Sequence, residues 1–246
     1  MNDLLIIYRC CENETGNRPK RPSRPPFFNK IHCLNNLVEV FLETLSMGNR
    51  DGVGRYNPED TFLWAVHDGP FGQLGERLEY FSEKDLALEI DKINVCSNEQ
   101  SYQHCLKIAK ENIKNYKYIY LVEDDYLHTP EAPAIMLEGL DKFGVVTGYF
   151  HKDRLTRTDD VTLGREHISA TASCHWVTNE STTCTFAISG PNKEAIITSA
   201  AHFGIRDRQM WRHLIDYNLR LWVPTPGVST HLESNLMTPF IDWSRV

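Results

Sequence analysis

The sequence has little of what commits a chain to a membrane, to export or to a disulfide scaffold. No apolar run approaches the roughly 18 residues of a bilayer span, so no membrane span is expected. The start, Met1-Asn2-Asp3 and then Leu4-Leu5-Ile6-Ile7, has no basic flank and is broken at Arg9. It does not have the layout of a signal peptide and reads as a first core strand. The seven cysteines are odd in number and form no CxxC pair, which is neither a disulfide framework nor a zinc ribbon. Reduced thiols, mostly buried as small apolar groups in a cytoplasmic protein, are the expectation. There is no internal repeat, no low-complexity tail and no linker that would separate two domains.

What is present is the composition of a folded chain: 246 residues, 41% hydrophobic and 11% aromatic, enough to bury a sizeable core. The net charge of −7 argues against general nucleic-acid binding, but a total conceals segments. Between Thr15 and Val38 stand Arg18, Lys20, Arg21, Arg24 and Lys30 without one acid, so this segment carries +5 and the remainder −12. Pro19, Pro22, Pro25 and Pro26 stiffen it in an extended form. Such a segment is a solvated loop, a clamp for a diphosphate in which Arg21 or Arg24 reaches inward, or a dock for a polyanionic acceptor.

Strand and helix patterns alternate along the early and middle chain. Leu4 to Tyr8 reads as a strand covered on both faces. A helical apolar spacing runs from Ile31 to Leu45, with Gly48 able to close it. Thr61 to Val66 is a second strand, ended by the turn His67-Asp68-Gly69-Pro70. Ser97-Asn98-Glu99-Gln100 has the form of a capping box opening a helix through Tyr102, Cys105, Leu106, Ala109 and Ile113. Tyr118 to Val122 is a buried strand ending in Glu123-Asp124-Asp125; a helix (Ala134 to Leu140) and a strand (Val145 to Phe150) follow. Ile168 to Val177 and Thr182 to Ser189 read as a β-hairpin, followed by helices from Pro191 and Arg206, a strand Leu219 to Val223 and an irregular tail. The alternation predicts an α/β chain with a mostly parallel sheet flanked by helices, whose ligands bind beyond the carboxyl ends of its strands.

Three consecutive acids at such a strand end repel one another unless a cation or donor groups compensate. A hard divalent ion does so through oxygen ligands, usually sharing its shell with a substrate phosphate; a solvated acidic turn accounts for a bare triplet equally well. Arg9, at the end of the first strand, points to the same edge and could face a base or a diphosphate. Asn98 could reach a donor or simply cap its helix. Trp176 is a candidate to stack on a sugar ring or a buried anchor. Cys174, His175 and Cys184 fall short of four zinc ligands and match no finger spacing.

Leu121-Val122-Glu123-Asp124-Asp125-Tyr126 resembles the DxD-type element of glycosyltransferases with the GT-A fold, particularly the family-two-like group. The Arg-Pro-rich loop, His175 to Ala187, Asp207-Arg208 and Pro226 to His231 resemble, in the same order, a bacterial and phage subgroup. The likeness spans most of the chain, which lacks the QxxRW motif of many family-two members. It implies one GT-A-like domain, with 1–126 as the nucleotide-sugar half and 127–246 as the acceptor half. It further implies Mn²⁺ or Mg²⁺ held by Asp125 and His231, Glu123 and Asp124 on the donor side, Asp68 on the nucleobase, and Asp207 as the general base of an inverting transfer. An ordinary helix-start acid is the other reading of Asp207. The partners implied are a UDP-sugar, with GDP- and dTDP-sugars open, and a glycan or other hydroxyl acceptor, a nucleic acid among them. A nucleotidyltransferase on a related fold and a non-catalytic carbohydrate module holding Ca²⁺ compete with this reading. The Arg and Pro residues after strand one, where a Gly-rich phosphate loop would stand, count against the former.

Overall fold

The apolar run at the start of the chain forms strand β1 (Leu4–Cys10), buried at every position except Arg9. The computed structural model describes residues 3–12, 23–43, 58–84, 86–151 and 167–246. Arg21, Gly48 and most of the Arg-Pro loop lie outside these residues.

Burial on both sides requires helices on both faces, and alternate side chains of β1 divide between two cores. Leu4, Ile6, Tyr8 and Cys10 pack with helices α1 (Lys30–Val38), α2 (Gln73–Ser82) and α4 (Ala132–Phe143). Leu5 and Ile7 pack with α3 (Asn98–Glu111), α5 (Lys193–Phe203) and α6 (Asp207–Ile215). Each such apolar side chain taken fully out of water contributes about 1.5–3 kcal/mol, so a one-residue slip of β1 would exchange the faces of the whole set. Helix α1 continues as a wider π-type turn over Glu39–Glu43. At the α3 start one half of the expected capping box forms, Ser97 Oγ accepting from the Gln100 N–H at 3.4 Å, while the Ser97 N–H donates to Asp68 Oδ2 at 3.3 Å.

Strand β1 lies between β2 (Thr61–Asp68) and β4 (Tyr118–Glu123), parallel to both, with Leu4 opposite Thr61 and Tyr118. With β3 (Leu88–Ile93), β6 (Val145–Val146), β7 (Ile168–Ala170), β8 (His175–Asn179), β9 (Phe186–Ser189) and β10 (Leu221–Thr225) they form a sheet of order β3-β2-β1-β4-β9-β6-β10-β8-β7. The pairings orient β9 and β8 against the other strands, so the sheet is mixed but mostly parallel. This is the α/β architecture that the strand–helix alternation predicts. No described helix is long and apolar enough to cross a membrane, and none of the seven cysteines is in a disulfide.

Two local expectations are corrected. The hairpin folds within the first of its two expected segments, as β7 against β8. The second segment leaves the hairpin, because Thr183 and Cys184 adopt left-handed φ of 49° and 65°, and only Phe186–Ser189 continues as β9, inserted between β4 and β6. The tail is not wholly irregular: β11 (Ser229–His231) pairs antiparallel with β5 (Tyr126–His128), placing His231 opposite Tyr126. Among the helices and strands, α2 and β3 carry no pattern strong enough to single out; β3 is an edge strand only partly buried.

Trp176 is a core residue rather than an acceptor platform. Its indole has no exposed surface, its Nε1 donates to Thr171 Oγ1 at 2.9 Å, and it packs against Phe143 at 5.4 Å between ring centroids. It also covers Gly139 of α4, where a β-carbon would overlap the indole. Trp176→Ala is expected to cost about 3–5 kcal/mol and Gly139→Ala about 1–3 kcal/mol by overpacking. Chemical denaturation measures both, and an unchanged midpoint for Gly139→Ala would contradict this contact.

Candidate functional site

The three acids at the end of β4 each receive a different cation. Glu123 pairs with Arg9 from β1, Asp124 with Lys30 from the first turn of α1 at 2.8 Å, and Asp125 with Arg24 at 2.9 Å. The pairs are mostly shielded from solvent, with side-chain exposures of 9–18%. In this setting unmatched charges are costly, and the one-to-one matching removes the repulsion within the triplet.

Arg9 also donates to the Asn98 carbonyl at 2.7 Å and to its side-chain oxygen, so Arg9, Asn98 and Glu123 form one cluster across β1, α3 and β4. Asp124 additionally accepts from the Cys11 N–H at 2.9 Å. Lys30 donates to the Cys11 carbonyl at 2.8 Å. Asp124 and Lys30 therefore strap the end of β1 to the end of β4. Burial pulls the Lys30 pKa down, but the Asp124 charge and hydrogen bond outweigh it, with Cys11 adding to them, and the ammonium is held above its ordinary value.

Asp125 and His231 meet through the β5–β11 pairing. His231 Nε2 lies 2.9 Å from Asp125 Oδ2, and the Leu232 N–H donates to the Asp125 carbonyl at 2.8 Å. Burial pushes the Asp125 carboxyl up; the His231 and Arg24 charges and hydrogen bonds outweigh it and hold the pKa below the carboxylate range. Asp125 Oδ1 and His231 Nδ1 are buried without a hydrogen-bond partner. Adjacent ligands of an octahedral ion with bonds of about 2.1 Å stand about 3 Å apart, so the pair fits two positions of a Mg²⁺ or Mn²⁺ shell. Among the described residues no cluster of three or more His, Cys, Asp and Glu stands ready for a metal. Two protein ligands completed by water and phosphate is a common Mg²⁺ arrangement.

Asp207, at the first turn of α6, faces the loop that replaces the expected second hairpin strand. Its Oδ2 accepts from Ser181 Oγ at 3.1 Å and from the N–H groups of Thr182 and Thr183 at 2.5 and 2.9 Å. That loop touches the Asp125–His231 cluster: the Tyr126 hydroxyl donates to the Thr182 carbonyl at 2.8 Å and meets Thr183 Oγ1, while the Tyr126 ring stacks on His231 at 5.4 Å. Asp68 is buried and turned onto backbone, accepting from the N–H groups of Val95 and Cys96 at 2.9 Å and of Ser97 at 3.3 Å. It shapes the turn that presents Asn98. Cys174 and Cys184 pack into cores on opposite faces of the sheet and do not converge.

No protein-family model matches the chain, and no similar curated protein is found. Solved structures are similar in fold. S. aureus TarS 1-349 superposes with a TM-score of 0.52 at 10% identity, covering 92% of this chain and 59% of that one. The same TarS fragment in complex with UDP-GlcNAc gives 0.51 at 12% identity, over 94% of this chain and 61% of that one. The mannosyltransferase PcManGT from Pyrobaculum calidifontis, in complex with GDP-Man and Mn²⁺, gives 0.50 at 12% identity, over 91% and 56%. The chain shares their fold. It spans less than two thirds of each of these proteins.

Within that fold the sequence reading missed three contributors. Lys30 counts only as part of a basic segment until the fold sets it on Asp124. Tyr126 is the link between the Asp125–His231 pair and the Asp207 loop. Glu12 accepts from the N–H groups of Gly72 and Gly75 at 2.9 Å and of Leu74 at 3.2 Å, capping α2, whose own N-cap, Gly72, has no side chain for the task. A carboxylate just after a first strand is the only signal for that role.

Two outcomes follow from these contacts. Burial raises the Glu12 pKa, but the N–H groups of Gly75, Leu74 and Gly72 and the His67 ring outweigh it and lower it from 4.5. A lowered folded pKa makes the protein more stable above pH 4.5, and that gain is lost as the pH falls through the folded value. Melting temperature measured from pH 7 to pH 3 is expected to fall less steeply for Glu12→Gln than for the wild type. Asp124→Asn leaves the shielded Lys30 ammonium without its counter-charge and is expected to cost about 3 kcal/mol in urea unfolding. A cost near zero would remove Asp124 from its strap role.

Proposed function

We propose that this chain is a metal-dependent glycosyltransferase of the GT-A, family-two-like type, moving a sugar from a nucleotide-sugar donor to an acceptor hydroxyl with inversion. The observation that carries the reading is the Asp125–His231 pair, with its orphaned Asp125 Oδ1. It lies just beyond the carboxyl end of a central strand, on a fold shared with a mannosyltransferase solved with GDP-Man and Mn²⁺. Ligands of open α/β sheets gather at that edge.

Asp125 and His231 are the metal ligands in this reading. A bound Mn²⁺ or Mg²⁺ supplies positive charge beside the diphosphate leaving group. Arg9, Asn98 and Glu123 line the donor side, with Asp124 holding the strand ends together. Asp68 supports the nucleoside end through the turn before α3. The half from 1 to 126 takes the donor and the half from 127 to 246 the acceptor. Arg21 belongs with Arg24 as a cation for the diphosphate.

Asp207 accepts the acceptor hydroxyl proton as that oxygen attacks C1 of the sugar. The C1–O bond to the diphosphate breaks on the opposite face, the electron pair leaves with the diphosphate, and the anomeric centre inverts. The three donors on Oδ2 fix this carboxylate in place, and Oδ1 makes no hydrogen bond to the described residues, which leaves it for the proton.

Thermal shift across UDP-, GDP- and dTDP-sugars, with and without Mn²⁺, identifies the donor; turnover is then read as nucleotide release. Asp125→Asn is expected to lose at least about 100-fold in turnover, and Asp207→Asn about 10²–10⁴ in kcat with donor affinity retained. Failure to bind any nucleotide sugar, or wild-type turnover in Asp125→Asn, sinks the proposal.

A further inference from the structure

The carboxylate best placed to receive a metal already holds a cation of its own. Asp125 Oδ2 takes Arg24 Nη2 at 2.9 Å and His231 Nε2 at 2.9 Å. The other arm of the guanidinium, Nη1, donates to the Leu232 carbonyl at 2.8 Å. Arg24 therefore bridges Asp125 and the residue that follows His231, closing over both ligand-bearing segments at once. A divalent ion on this carboxylate would stand within a few ångströms of the guanidinium, and like charges at that distance in a shielded site repel strongly.

Arg24 can exchange partners only at its side chain, because the adjoining backbone is tied to the tail. It stands outside any helix or strand in Ser23-Arg24-Pro25-Pro26. Besides Arg24 itself, the stretch joins the tail through the Ser234 N–H to the Ser23 carbonyl at 2.6 Å and the Ser23 and Ser234 hydroxyls at 3.3 Å. The guanidinium lies over the Phe28 ring at 4.5 Å. A diphosphate offers the planar fork two anionic oxygens at matching spacing and more charge than one carboxylate.

We propose that Arg24 is a counter-ion latch, holding Asp125 in place of the divalent cation until a nucleotide diphosphate draws the guanidinium away, so that metal and nucleotide bind as a coupled pair. The inference rests on the donor-site reading above and deepens it. Coupling of this kind is reciprocal: the factor by which nucleotide strengthens metal binding is the factor by which metal strengthens nucleotide binding.

The test is Mn²⁺ binding, read from the electron paramagnetic resonance signal of free Mn²⁺, with no nucleotide and with UDP or GDP. Wild-type protein is expected to bind Mn²⁺ weakly alone and at least about tenfold more tightly with the matching nucleoside diphosphate. Arg24→Gln is expected to bind Mn²⁺ alone about tenfold more tightly than wild type, with a smaller gain from nucleotide. Arg24→Lys, which keeps the charge, should stay near wild type. Unchanged or weaker Mn²⁺ binding in a folded Arg24→Gln protein, checked by circular dichroism, overturns the latch. Wild-type Mn²⁺ affinity that is indifferent to both nucleotides overturns it without any variant. Nucleotide binding without Mn²⁺ binding overturns the latch and leaves the nucleotide site standing, whereas binding of neither overturns the glycosyltransferase reading itself.

Discussion

Three carboxylates in sequence, set where a buried strand emerges from a two-faced sheet, are the constraint on which the rest of this edge is built. Neighbouring negative charges with little solvent must be matched or neutralised by protonation. Here they are matched: β1 supplies Arg9, α1 supplies Lys30, and the Pro-flanked stretch before α1 supplies Arg24. The matching ties together segments far apart in the chain. It brings the ends of β1 and β4 into one strap and holds the 23–28 stretch against the C-terminal tail, where Phe27, Phe28, Leu232 and Trp243 join a small core of their own.

A second layer of contacts connects this charge cluster to the 181–183 loop. Strand β11 pairs with β5 immediately after the triplet, so the backbone sets His231 beside Asp125. Tyr126, between them, reaches the 181–183 loop that Asp207 holds by its N–H groups. The candidate metal ligands and the candidate base are thus joined through one tyrosine and one short loop. A change at Tyr126 acts on both halves of the proposed chemistry.

Much of this was legible in the sequence. Two-sided burial of Leu4–Ile7, the helical spacing after Ile31, the Ser97 cap and the acidic end of β4 each follow from local patterns. Local patterns were insufficient at 168–189, where strand-forming Thr and Ser residues run on but two left-handed residues and the Asp207 carboxylate divide the segment between two distant places in the sheet. They were insufficient for Trp176 too. A tryptophan next to a polar run reads equally as platform or anchor, and only Gly139 on a helix remote in sequence, with no side chain to keep the indole out, decides for the anchor.

The net charge of −7 concealed an excess of +5 in one segment, and the sequence alone determined that opposed charges exist, where along the chain they lie, and that a triplet at a strand end repels itself unless something compensates it. Which cation meets which acid, that His231 rather than another histidine reaches Asp125, and that Arg24 reaches the same carboxylate were decided only by tertiary structure. The Asp125–His231 pairing alone spans 106 residues, a separation closed by strand register and helix packing. Charge type can be read from the sequence one residue at a time, but proximity is a property of the whole fold.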